Sequence, residues 1–246
     1  MTIVTPGLVL REVKVGESDR ILTLLTPNHG VIAASAKGSL RLKSRLLSAC
    51  GLFCYSEFTL FSGKSMYTVD DAQVKEVFFG LRESIEATAL AMYLAEFALA
   101  LSPTDKEAAA VLRLLLNSLY LISQHKKPLE QIKAVYEIRA LSEAGYLPAL
   151  LCCAGCSRYD GGDFYFNVQT GSLLCADCAA KEGKSPNLDG AALVALRHAA
   201  LVEDKKIFGF SIPEQSLRQL AWVAESYAGV QLDKPLKTLS FLKTVL

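Results

Sequence analysis

The chain has 246 residues, 51% of them hydrophobic and 21% charged, which suits a well-buried core and excludes a disordered segment. A formal net charge of +1 excludes a polybasic protein, so any attraction to nucleic acid must come from local clusters of Lys and Arg. The start, Met1-Thr2-Ile3-Val4-Thr5-Pro6, lacks the basic and apolar blocks of a signal peptide, and no membrane association is expected.

Residues 1 to about 80 read as strands. Val4–Val13, Arg20–Thr26 and Val31–Ala36 are rich in β-branched and aliphatic residues, and the turn Pro27-Asn28-His29-Gly30 separates the second from the third. Leu52–Phe61 and Tyr67–Phe79 follow, joined by Ser62-Gly63-Lys64-Ser65. Five short strands with no long helix predict a small closed barrel, because closure removes unpaired edges.

The periodicity then becomes helical. Arg82–Ser102 is dominated by Ala and Leu, both strong helix formers. Its most apolar part, Ala87–Leu101, contains Glu96 and is shorter than the roughly 20 residues of a membrane helix, so a buried core helix is expected. Further helices are predicted over Thr104–His125, with Pro103 and Thr104 at the start, and over Pro128–Ala144, stopped by Gly145 and Pro148. Helical patterning returns at Asp189–Leu201, at Pro213–Ala228 and weakly at the end. The expected organisation is α+β, with a barrel domain over residues 1–80 and a helical domain over 81–246 that carries a metal-binding segment at about 150–180.

Cys153-Ala154-Gly155-Cys156 and Cys175-Ala176-Asp177-Cys178, 18 residues apart, carry the strongest chemical signal. Each Cys-x-x-Cys forms a knuckle whose thiolates converge, and two knuckles supply the tetrahedral sulfur set that Zn²⁺ prefers. Four Cys ligands leave no open coordination position, so the expected zinc is structural rather than catalytic. Asp163–Val168 and Gly171–Leu174 are expected to form a hairpin that joins the knuckles. Neighbouring Cys152 could substitute, but Cys153 has the better spacing, and Cys50 and Cys54 read as small buried hydrophobes. This pattern fits metal binding in a reducing, cytoplasmic compartment better than a disulfide framework.

Lys37-Gly38-Ser39-Leu40-Arg41-Leu42-Lys43-Ser44-Arg45 is the densest basic cluster, with four cations and no acid directly after the third strand. Lys37, Arg41, Lys43 and Arg45 are the candidate DNA-binding residues, the leucines are expected to anchor the segment, and Phe53, Tyr55 and Tyr67 are candidates for base stacking. His29, His125 and His198 have no obvious partner in sequence, and no nucleophile triad, HExxH or Walker lysine is present. Catalytic residues are therefore not expected.

The order and spacing of Gly16-Glu17-Ser18-Asp19-Arg20-Ile21-Leu22-Thr23-Leu24-Leu25-Thr26, Gly38 through Lys43-Ser44-Arg45-Leu46, Tyr93-Leu94-Ala95-Glu96, Gly145-Tyr146-Leu147-Pro148, the Cys pairs and Lys237-Thr238-Leu239-Ser240-Phe241-Leu242 closely resemble the bacterial RecO recombination-repair family. The resemblance spans essentially the whole chain. It implies an OB-fold amino-terminal domain, a helical carboxy-terminal domain and an inserted zinc ribbon. It also implies binding of single- and double-stranded DNA, annealing of complementary strands, partnership with RecR, and help in loading RecA onto DNA coated by single-strand-binding protein. The acidic, Phe-ended tail of that protein would dock on the last helices, with Arg139, Arg218 and Trp222 as candidates. The competing expectation is a zinc-containing interaction scaffold that binds little DNA itself.

Overall fold

The computed structural model describes residues 1–102, 106–232 and 234–246. Five strands, β1 (Thr2–Val15), β2 (Asp19–Thr26), β3 (Gly30–Ala36), β4 (Cys54–Ser62) and β5 (Tyr67–Val77), close into a barrel in the order β1-β2-β3-β5-β4. The unusual length of β1 is what permits closure. Its first half pairs antiparallel with β4 (Thr2↔Phe61 to Leu8↔Tyr55) and its second half with β2 (Leu8↔Leu25 to Val15↔Asp19), with an irregularity between Val9 and Arg11 where the strand changes partner. β3 and β5 complete the circuit through a short parallel pairing, Ala34↔Tyr67 and Ser35↔Thr68. Alternate residues of the strands point inward, and Val9, Leu22, Leu24, Ile32, Phe58, Leu60 and Val69 fill the interior. The expected five-stranded barrel is therefore present, and its strands coincide to within about two residues with the β-branched and aliphatic segments between the turns.

Between β3 and β4 lies a four-residue helix, α1 (Leu46–Ala49), that the sequence reading does not contain. After β5 a 3-10 turn, Phe79–Arg82, leads into α2 (Ile85–Leu101), which starts where the Ser84 hydroxyl accepts the Ala87 N–H at 3.0 Å. Nine side chains of α2 are buried, as its apolar composition requires. The next helix, α3, runs over Ala109–Ser123. Its expected start at Pro103 and Thr104 lies outside the described residues, and Lys106–Ala108 are not helical. Ala108 instead takes a φ of −137° and donates its N–H to the Pro27 carbonyl at 2.8 Å, so the helix begins one residue later. These elements and the terminal helix α8 (Lys237–Val245) form one compact unit, Met1–Gln124 with Thr238–Leu246.

The second unit, His125–Lys237, is built around α4 (Leu129–Glu143), whose buried residues occur on almost every side. Gly145, at φ +96°, ends it, and the Tyr146 N–H turns back to the Leu141 carbonyl at 2.8 Å. A three-stranded sheet follows, ordered β6 (Ala149–Cys153), β8 (Ser172–Cys175), β7 (Phe164–Asn167), with β7 and β8 forming the expected hairpin. α5 (Ala176–Lys181), α6 (Gly190–Leu201, capped by Asp189) and α7 (Glu214–Gln231) complete the unit.

Two ionic clusters, one buried and one half-buried, hold its helices. Lys133 on α4 meets Glu137 on the same helix at 2.8 Å and Glu225 on α7 at 2.8 Å, and Glu137 is 0% exposed. Arg139, also on α4, bonds Glu143 at 3.0 Å, the carbonyls of Ala200 (3.1 Å) and Val202 (3.0 Å), and the carboxylate of Asp204. It caps the carboxyl end of α6, where unpaired carbonyls attract a cation.

Candidate nucleic-acid interface and metal centre

The backbone brings the two cysteine knuckles together through the sheet. Cys153 ends β6, Cys156 lies in the turn after it, Cys175 ends β8 and Cys178 sits in α5. All four sulfurs lie within 4.8 Å of one another, and Cys156 Sγ is 3.6 Å from Cys175 Sγ. A tetrahedral zinc with Zn–S bonds of about 2.3 Å needs sulfurs roughly 3.8 Å apart, so this donor set fits a metal ion of that size and preference. Burial alone would raise the Cys153 thiol, but backbone N–H groups of Cys175, Gly155 and Cys156 outweigh it and hold the thiol down at about 6. The Cys175 N–H is 3.2 Å and the Gly155 N–H 3.4 Å from that sulfur. Hydrogen bonds to the other three thiols push Cys178 the other way, to about 12. A metal ion would replace the protons those sulfurs share. Cys152 stands outside the cluster, and the buried Cys50 is raised to about 12 by burial, as befits an unreactive core residue.

Arg197, which the sequence reading passed over, ties this centre to α6. Its guanidinium donates to the carbonyls of Leu150 (2.8 Å), Leu151 (3.1 Å) and Tyr159 (2.7 Å) and stacks over the Tyr159 ring at 4.3 Å. No spacing rule flags it, because its partners lie 38 to 47 residues away.

Lys37, Arg41, Lys43 and Arg45 all sit exposed on one loop between β3 and α1. The loop is a chain of turns: Arg41 N–H to Gly38 O (3.1 Å), Ser44 N–H to Arg41 O (2.9 Å) and Leu47 N–H to Ser44 O (3.2 Å). Gly38 has φ +64°, a left-handed angle suited to glycine. The β1–β2 turn grips the loop from outside. The Asp19 carboxylate accepts the Gly38 N–H at 2.7 Å, the Ser18 carbonyl accepts the Leu40 N–H at 2.9 Å, and Arg20 donates to the Leu47 carbonyl at 3.2 Å. Arg20 itself is only 7% exposed and lies 3.4 Å from Glu12.

Two expectations about this loop need correction. Leu42 is not an anchor but is 92% exposed between Arg41 and Lys43, because the turns send it outward while Ser39 and Leu46 are the buried residues. Phe53 is not a stacking platform either: it is 7% exposed and held by its N–H to Val9 O at 2.9 Å. Tyr67 packs against the barrel core, and Tyr55 is half-buried.

On α7, Arg218 and Trp222 share a cleft of about 780 Å³ with Asn187, Gln215 and Gln219. Trp222 is 54% exposed, and Arg218 pairs with Glu214 at 2.9 Å on the helix surface. Arg139 does not line this cleft, since its guanidinium is engaged at the end of α6.

Among the described residues no helix is long and apolar enough to cross a membrane. Two family profiles match the chain in succession, "Recombination protein O N terminal" over residues 1–78 and "Recombination protein O C terminal" over residues 82–240. A "DNA repair protein RecO" of Acetivibrio thermocellus is 35% identical over 98% of this chain and 96% of its own length. Proteins of the same name from Alkaliphilus metalliredigens and Dehalococcoides mccartyi are each 32% identical, over 95% and 98% of this chain and 95% of their own lengths. With both halves matched in order and the relatives covered almost end to end, this chain belongs to the RecO family of DNA repair proteins.

Proposed function

We propose that this chain is a non-catalytic mediator of DNA repair that binds single- and double-stranded DNA through the β3–α1 loop. The observation that carries the reading is the loop itself: four exposed cations on a braced series of turns, at the mouth of a closed barrel. A cation on a braced loop loses little freedom when it meets a phosphate, and releasing the phosphate's counterions drives the association. Neutralising two backbones at once lowers their mutual repulsion, which is the physical requirement for annealing complementary strands. No bond is made or broken in this scheme. Leu42, flanked by Arg41 and Lys43, takes the place expected of Phe53 as an apolar group that meets base faces.

The four-cysteine centre would hold one Zn²⁺ as a structural ion, with Cys153, Cys156, Cys175 and Cys178 as ligands; when bound, it cross-links β6, β8 and α5. Four of the seven cysteines fall in a metal-binding pattern rather than a disulfide framework, which supports a reducing, cytoplasmic setting. Assistance to RecA loading together with RecR fits the family. The cleft beside Arg218 and Trp222 supports docking of the acidic, Phe-ended tail of single-strand-binding protein: the cation would take a carboxylate and the indole the phenyl ring. That cleft is also what favours the second reading, a zinc-containing interaction scaffold with little DNA binding of its own.

A salt titration of single-stranded DNA binding separates the two. Changing Lys37, Arg41, Lys43 and Arg45 together to Ala should weaken binding and flatten the log K against log salt slope by roughly 0.7 per lost contact. Unchanged curves would favour the scaffold.

A further inference from the structure

The β1–β2 turn places a carboxylate against the loop that is read here as the DNA site. By charge alone this placement is unfavourable. A negative group beside Lys37 and Arg41 cancels part of the field that would draw a phosphate. The Asp19 carboxyl, held below its ordinary 3.8 first by the Gly38 N–H, then by the Ser18 hydroxyl and in smaller part by Arg41 and Lys37, carries that charge at neutral pH as any aspartate of ordinary pKa would.

The geometry gives the carboxylate something to do. Asp19 Oδ1 accepts the Gly38 N–H at 2.7 Å and the Ser18 hydroxyl at 3.0 Å. Gly38 is the first residue of the turn series that presents Arg41, Lys43 and Arg45, and it holds a left-handed φ that glycine adopts without strain. The same turn grips the loop at Leu40 through Ser18 and beyond its far end at Leu47 through Arg20. Three consecutive residues, Ser18, Asp19 and Arg20, thus hold the basic loop at its start, its middle and the helix that follows it.

We infer that Asp19 is a positioning residue for DNA binding: its carboxylate fixes Gly38 and so sets the direction in which the loop's cations point. The inference rests on the reading of the loop as the DNA site. It makes a prediction opposite in sign to the electrostatic one. Losing a negative charge next to a phosphate-binding loop should tighten binding, whereas losing the brace should loosen it.

The test compares Asp19→Ala and Asp19→Asn in the full-length chain, using a labelled single-stranded oligonucleotide and amide hydrogen exchange of the loop. Asp19→Ala should bind about fivefold more weakly, the equivalent of one lost hydrogen bond, and the Gly38 and Leu40 amides should exchange faster. Asp19→Asn keeps an acceptor for Gly38 and removes only the charge, so it should bind as tightly as the native chain or more tightly. An Asp19→Ala protein that melts normally and binds as well as the native chain, or better, overturns the inference. The four-alanine loop variant is measured alongside. If that variant alone is weakened, the positioning role fails and the DNA site stands. If it binds like the native chain, the reading of the loop fails and the inference falls with it.

Discussion

Glu96, in the middle of α2, caps the helix that ends the chain: its Oε2 accepts both the backbone N–H (2.8 Å) and the hydroxyl (2.6 Å) of Thr238, 142 residues away. A carboxylate at that place satisfies an otherwise unpaired amide and opposes the positive end of the helix dipole. Only Leu242 of α8 is buried, so this helix has little apolar attachment besides. Glu96→Ala should therefore cost about 1–2 kcal/mol, as loss of a charged cap does, while Glu96→Gln should cost less. Thermal melting reads the first effect, and hydrogen exchange over residues 237–246 should show the loosening confined to α8.

The buried triad of the second unit should respond more strongly. Glu137→Ala removes a fully buried partner of Lys133. The lysine then stays buried with its charge incompletely matched, at a cost of about 3–5 kcal/mol. Changing Lys133 and Glu137 together to Met should be milder than the single Glu137→Ala change. A double variant less stable than that single one would show that the cost lies in packing, not in the uncompensated charge.

Asp19 supplies a pH dependence with a defined sign. Its folded pKa lies below the ordinary 3.8, first because of the Gly38 N–H. The stabilisation of the loop by the ionised carboxylate is thus fully present above about 3.8 and is lost as pH falls through the lower folded value. The Gly38 amide proton, followed by NMR, should hold its shift from neutral pH down to about 4 and titrate only below that. A midpoint at or above the ordinary carboxylate value would contradict the hydrogen bond.

Leu42→Ser tests the apolar tip of the loop without changing its charge. Binding to single strands should weaken by about fivefold, roughly 1 kcal/mol for part of a leucine's burial. The salt slope should stay as it is, because no phosphate contact is lost. A flattened slope would mean that the substitution has disturbed the neighbouring cations.

For the metal centre, the purified chain should carry about one zinc. Cys153→Ser should lower that occupancy sharply, since Cys153 is one of the two buried sulfurs of the cluster and already accepts the Cys175 and Gly155 N–H groups. Strong chelation should lower the melting temperature of the native chain and leave that of the variant unmoved.

Much of this protein is determined by local pattern, and so is legible before any coordinates. Runs of β-branched and aliphatic residues between Pro and Gly turns mark the barrel strands in the first eighty residues, because such side chains suit a pleated, half-buried surface. The Cys-x-x-Cys spacings draw two sulfurs together in each knuckle whatever lies between them, and glycine at 145 stops α4 because only its backbone turns left-handed without strain. Charge density alone picked out Lys37, Arg41, Lys43 and Arg45. What only the tertiary structure decided are the partners of polar groups far apart in the chain. The partners of Arg139, Arg197 and Glu96 cannot be read from their sequence neighbours, because each reaches backbone or hydroxyl groups of a distant element. Leu42 looks like an anchor, yet the turns between Gly38 and Ser44 point it into solvent. The physical reason is the reach of the interactions: periodicity records which face of an element is apolar, whereas a hydrogen bond is chosen only after folding has brought donor and acceptor within about 3 Å.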